Sequence, residues 1–154
     1  MKRLLFAIAV ILSGCISRPR IENVYPTPAP TPTLAVLTRP ITNEDKEAAL
    51  DFFYHLKVHI VSSEFEHIAE EVRYPITVMV EGQTKTYVYV SEFSEDFNLI
   101  FPEERVQMII STDESELVFT KDGVMFPDGM IWFDLICLDT ACENAEFLIT
   151  EINN

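Results

Sequence analysis

ITVMVEGQTKTYVYV, residues 76–90, decides the fold class. Ile76, Val78 and Val80 alternate with Thr77, Met79 and Glu81, a period of two. In an extended chain that period sends alternate side chains to opposite faces, one of them apolar. Glu81-Gly82-Gln83 breaks the run, and Thr84–Val90 resumes it with Tyr87 and Tyr89. Two such runs joined by a glycine-bearing turn predict a β-hairpin.

Upstream the period is helical. Ala49, Phe52, Phe53, Leu56 and Ile60 recur at three- and four-residue steps, and Thr42 with Asp45 has the spacing of a capping box. Phe65, Ile68, Ala69 and Val72 predict a second helix, opened by a Ser63/Glu66 box and closed before Tyr74-Pro75, since a residue preceding proline avoids the helical region. Downstream, Ser91 is placed to cap a short helix with Phe93, Phe97 and Ile100 on one side, ending near Pro102. Arg105–Ile110 fits helix or strand. Four strands then follow: Glu116–Thr120, Val124–Phe126, a central strand Met130–Leu138 that is apolar on both faces except at Asp134, and Ala145–Ile152. Gly82, Gly123 and Gly129 all fall at the predicted turns. The fold class is therefore α+β, with N-terminal helices packed on a curved antiparallel sheet, over one domain of residues 41–154.

The 154-residue chain carries 11 basic and 25 acidic side chains, a formal charge of −14. Residues 1–14 hold two of the bases, Lys2 and Arg3, and no acid, so the chain from Cys15 onward has 9 bases and 25 acids, a charge of −16. Nucleic acid is excluded as a partner, because phosphate binding needs a basic footprint. Direct adsorption to anionic lipid is disfavoured for the same reason.

The first residues supply an address. Lys2 and Arg3 precede the apolar run Leu4–Leu12, then the small residues Ser13 and Gly14: the layout of a secretory signal peptide, too short to span a bilayer. Leu12-Ser13-Gly14-Cys15 resembles the lipobox of bacterial lipoproteins. The resemblance implies cleavage after Gly14 and diacylglycerol on the Cys15 sulfur, often with a further acyl chain on its amino group. Each buried CH₂ contributes about 0.8 kcal/mol, so two or three chains hold where one is marginal. It also implies a membrane partner through the anchor and a place in the bacterial cell envelope. Ile16 stands where the aspartate of inner-membrane retention would be, which points to the outer membrane in a host that has one. Residues 15–40 then form a linker. Its stretch 16–40 holds six of the nine prolines and makes a spacer of at most roughly 75 Å at about 3.1 Å per residue. Leu34–Leu37 is its one apolar patch, placed to dock on the domain.

The order of helices and strands, with Arg73-Tyr74-Pro75-Ile76 after the second helix and Gly129-Met130-Ile131-Trp132-Phe133 and Ile149–Asn153 as closing strands, resembles the NTF2-like, cystatin-like α+β cone over roughly residues 43–153. That resemblance implies a sheet wrapped around a long helix. It selects no function, because the fold hosts enzymes, binding modules and transport factors.

Candidate chemistry is sparse. With Cys15 lipidated, Cys137 and Cys142 remain as one pair at the facing ends of two strands, where a disulfide fits. A redox dithiol normally uses C-x-x-C, and this spacing is wider. His55 and His59 are four apart on a helix and could chelate a transition metal, with His67 nearby, but a solvated helix face is the better account of them. The cone resemblance implies a role for Asp134 as general base of a ketosteroid isomerase-like pocket, with Tyr74, Tyr87 or Tyr89 as oxyanion donor; an exposed stretch of strand accounts for Asp134 as easily. Trp132, Tyr87, Tyr89, Phe126 and Phe133 read as core or as the lining of a binding cavity. No glycine-rich phosphate loop, nucleophile elbow or dense Cys/His cluster is present, so no cofactor is expected. The leading expectation is a lipid-anchored binding module for a protein segment or small apolar ligand. The alternatives are a small pocket enzyme using Asp134 and an immunity-type protein against a basic toxin.

Overall fold

The computed structural model describes residues 37–153. The expected signal peptide, Cys15 and the expected linker up to Val36 lie outside the described residues.

Helix α1, Lys46–Ser62, puts Ala49, Phe52, Phe53, Leu56 and Ile60 in the core. Half of its predicted box is made: the Asp45 carboxylate accepts from the Thr42 N–H at 2.8 Å and from the Thr42 hydroxyl at 2.7 Å. The Ser63/Glu66 box is not made. Ser63 is the left-handed C-cap of α1, at φ 57°, and its N–H donates back to His59 and Ile60. A serine serving as one helix's stop cannot also start the next. Helix α2, Phe65–Glu70, buries Ile68 and Ala69 and ends four residues before Tyr74-Pro75.

The hairpin forms as β1, Ile76–Val80, and β2, Gln83–Tyr87, around a two-residue turn. Glu81 and Gly82 both have positive φ, 51° and 77°, the geometry whose twist matches the strands it joins. The second strand is shorter than predicted. After Tyr87 the chain leaves the sheet, and Val90 opens α3, Val90–Glu95, one residue before the expected cap Ser91. The cause is local: the Glu92 carboxylate accepts from the Val88 and Tyr89 N–H groups, at 3.2 and 3.3 Å, and takes them out of ladder pairing. Helix α4, Phe97–Ile100, follows, and the ambiguous segment is helix α5, Glu103–Ser111. Arg105, inside α5, is buried. It donates to the carbonyls of Ile100 at 2.7 Å and Asn153 at 2.8 Å, and burial lowers its pKa.

The remaining strands are β3 (Val118–Phe119), β4 (Val124–Met125), β5 (Ile131–Cys137) and β6 (Ala145–Ile152). They form one antiparallel sheet in the order β3-β4-β5-β6, so β5 is internal as its sequence predicts. β3 is only two residues long, because Glu114–Glu116 are taken up in a 3-10 turn capped by the Asp113 carboxylate. The β1-β2 hairpin is a separate two-stranded sheet. It is tied to the larger one through Glu71–Arg73, which exchanges hydrogen bonds with Ile149 on the free edge of β6. The architecture is thus α+β, with helices packed on antiparallel sheet.

Residues 37–40 belong to the packed body as well. The Leu37 carbonyl accepts from Cys137 N–H at 2.9 Å, Thr38 bridges Ile136, and Arg39 makes a fork of 2.6 and 2.8 Å to Asp45. The expected linker, residues 15–40, thus gives its last four residues to a strap along the end of β5 that β4 leaves unpaired.

Candidate functional site

β5 sends Ile131, Phe133 and Leu135 into the core and Asp134 to the opposite face. There the carboxylate lies over Gly123: a Cβ on that glycine would stand 2.0 Å from Asp134 Oδ1. Burial raises the Asp134 pKa, against a hydrogen bond from Thr150 and the charge of Arg73. The tyrosines are elsewhere and engaged. Tyr87 is fully buried and its hydroxyl donates to Asp96 at 2.8 Å, while Tyr74 donates to the Ala69 carbonyl at 2.8 Å. Burial raises both phenol pKa values. Tyr89, read as core or cavity lining, is an exposed residue at the start of α3. Trp132 is half-buried, opposite Met125 on β4 and Glu151 on β6. The space between α1 and the sheet is filled by Phe52, Phe53, Phe126, Phe133 and Phe147, with ring centroids 4.9–6.3 Å apart. The structure therefore does not bring Asp134 and a tyrosine hydroxyl together.

The three histidines do come together. His59 lies between His55 and His67, with ring centroids at 6.4 and 5.1 Å. Its Nδ1 is 2.8 Å from Glu64 and its Nε2 is 4.0 Å from Glu71 Oε1. The other Glu71 oxygen is buried without a hydrogen-bond partner, and burial raises this carboxyl's pKa, against the charges of His59, His55 and His67. Among the described residues no three His, Cys, Asp or Glu side chains are arranged to hold a metal ion.

Cys137 and Cys142 are disulfide-bonded, with Cα atoms 4.8 Å apart. The loop between them winds around Asp139, whose carboxylate accepts from the N–H groups of Ala141, Glu143 and Asn144 and from the Asn144 side chain. These bonds, those from Asn144 first, lower the Asp139 pKa. The pair closes the β5–β6 turn beside the Leu37 contact, so it pins the point where the strap joins the sheet.

The surface feature that sequence reasoning missed is a groove between α2 and α3. One cavity of about 720 Å³ is lined by Glu66 and Glu70 of α2 and by Tyr89, Val90, Ser91, Ser94 and Glu95. A second, of about 410 Å³, continues it past Glu64 and His67 and shares Glu66 and Ser94 with the first. The signal was present in Glu92, three residues after Tyr89, which takes Val88-Tyr89-Val90 out of the strand and sets it on the surface at 50, 66 and 39 % exposure. No helix among the described residues is long and apolar enough to cross a membrane. Compared with protein families, curated proteins and solved structures, the chain shows no match.

Proposed function

We propose that this chain is a lipid-anchored, extracytoplasmic binding module, held to the bacterial envelope by acyl chains on Cys15 and spaced from it by the proline-rich linker. One observation carries the reading: the two cysteines other than Cys15 are bonded to each other. Such a bond persists in oxidising compartments and is rare in the cytosol, so it agrees with the export signal while being independent of it. A long helix packed on antiparallel sheet supports the NTF2-like cone, and the separate hairpin sheet is a departure from it.

Binding is favoured over catalysis because the interior is filled with aromatic side chains and Asp134 has no tyrosine beside it. The acidic groove favours one narrower version, neutralisation of a basic toxin. Fractionation of cells expressing the parent and Cys15→Ala chains tests the proposal. The parent should partition with membranes and into detergent, and the variant should be released to the aqueous phase. A soluble parent, or a variant still held by the membrane, overturns the anchor. Loss of any activity found in the parent on Asp134→Asn would restore the enzyme reading.

A further inference from the structure

We propose that the groove between α2 and α3 is a docking surface for a basic segment of a partner protein. The inference rests on reading the chain as a binding module and names the partner's chemistry.

The groove joins two features that occur separately elsewhere on the molecule. The first is uncompensated charge. Neither cavity is lined by a lysine or arginine, while carboxylates of Glu64, Glu66, Glu70 and Glu95 enter from both walls. Glu64 and Glu70 face His59 and His67, whereas Glu66 and Glu95 have no hydrogen bond or ion pair among the described residues. Several carboxylates elsewhere in the domain are engaged, Asp45 by Arg39, Asp96 by Lys85 and Tyr87, and Asp139 by backbone N–H groups. Others, such as Glu103 and Glu104, stand unpaired among the described residues but line neither cavity of the groove. A concave wall of one sign focuses its field outward and attracts the opposite charge.

The second feature is apolar. Val88-Tyr89-Val90 is a run of three exposed apolar residues, Tyr89 most of all at 66 %. Such a run stays exposed at a cost unless something covers it. Lysine and arginine suit both features. Their methylene stems cover Val90 and the Tyr89 ring, their cationic heads pair with the carboxylates, and a cation over an aromatic face adds attraction. A purely apolar partner would strip water from four carboxylates without replacing it.

The test uses the full chain as isolated from cells, in detergent, and two labelled peptides of equal length, one alternating lysine with leucine and one alternating glutamate with leucine. Fluorescence anisotropy reads their binding to the parent, to Tyr89→Ala, to the groove variant Glu66→Gln/Glu70→Gln/Glu95→Gln, and to the control Glu103→Gln/Glu104→Gln/Glu146→Gln, which removes the same charge elsewhere. The lysine peptide should bind the parent and the glutamate peptide should not. The groove variant should weaken binding about tenfold and the control less than about twofold, and Tyr89→Ala should cost about threefold. Equal losses in the groove and control variants would show diffuse attraction to an acidic body and overturn the proposal. So would equal binding of the two peptides, or binding of neither. None of these outcomes depends on whether Cys15 carries lipid, so this failure and that of the anchor are distinguishable.

Discussion

Two halves of the domain handle their aromatic rings differently. Between α1 and the four-stranded sheet, Phe52, Phe53, Phe126, Phe133 and Phe147 are all buried. Around the hairpin and the short helices a second group, Tyr87, Phe93, Phe97 and Phe101, is buried just as fully, but the chain between its members surfaces at Val88-Tyr89-Val90. The first half is closed at its edge by a strap and a disulfide. The second is built from helices of six and four residues, and a groove opens between two of its helices. On the proposed reading, stability and recognition fall in different parts of one small domain, and side chains that look alike in sequence are buried in one half and exposed in the other.

Four substitutions or treatments bear on that contrast. The largest effect is expected in the sheet half, where Phe133→Ala removes contacts to Phe52, Phe126 and Phe147 and should cost about 3–5 kcal/mol in urea unfolding. A loss below about 1 kcal/mol would deny that half its structural role. Next comes the disulfide. Reducing it, or replacing both cysteines by serine, should cost about 2 kcal/mol in the chain-entropy account. Faster hydrogen exchange should follow at the Cys137 and Leu138 amides, with those of β1 and β2 unchanged. Exchange that quickened equally in the hairpin would merge the two halves into one unit.

A smaller effect is expected where the halves meet, at Glu71. Burial holds its carboxyl above the ordinary range. A carboxyl with a higher pKa folded than unfolded favours the fold below the unfolded value, and that support fades as pH rises through the folded value. Glu71→Gln should therefore match the parent near pH 4 and be the more stable of the two near pH 7.5. Equal pH profiles for parent and variant would remove Glu71 as a site of strain between α1 and α2. The smallest effect is Tyr89→Ala, which should change stability by no more than about 0.5 kcal/mol, as for an exposed side chain. A larger loss would place Tyr89 in the structure and not at a contact surface.

Much of the fold was legible because its signals are local. Strand β6 has the predicted bounds, Ala145–Ile152, and β5 lies between two partners as a run apolar on both faces except at Asp134 should. Helix α1 follows its apolar stripe, and Glu81-Gly82 turns where glycine permits positive φ. What escaped was competition between side chains and backbone. Periodicity alone carries a strand through Val88-Tyr89-Val90, but one glutamate, Glu92, claims two of its N–H groups. Ser63 has the composition of a helix start and the geometry of a helix stop. The groove was invisible because its walls are two helices of six residues, each too short to show a period. The grouping of His55, His59 and His67 was half legible: the i, i+4 pair is in the sequence, while His67 arrives through the left-handed turn at Ser63.

The account as a whole rests on where the chain resides, and intact-mass spectrometry of the native protein from the membrane fraction tests that most directly. It predicts a polypeptide beginning at Cys15, heavier by one diacylglyceryl group, with or without a further acyl chain, and lighter by the two hydrogens lost in joining Cys137 to Cys142. A mass that retains Met1, with three free thiols and no lipid, would contradict it.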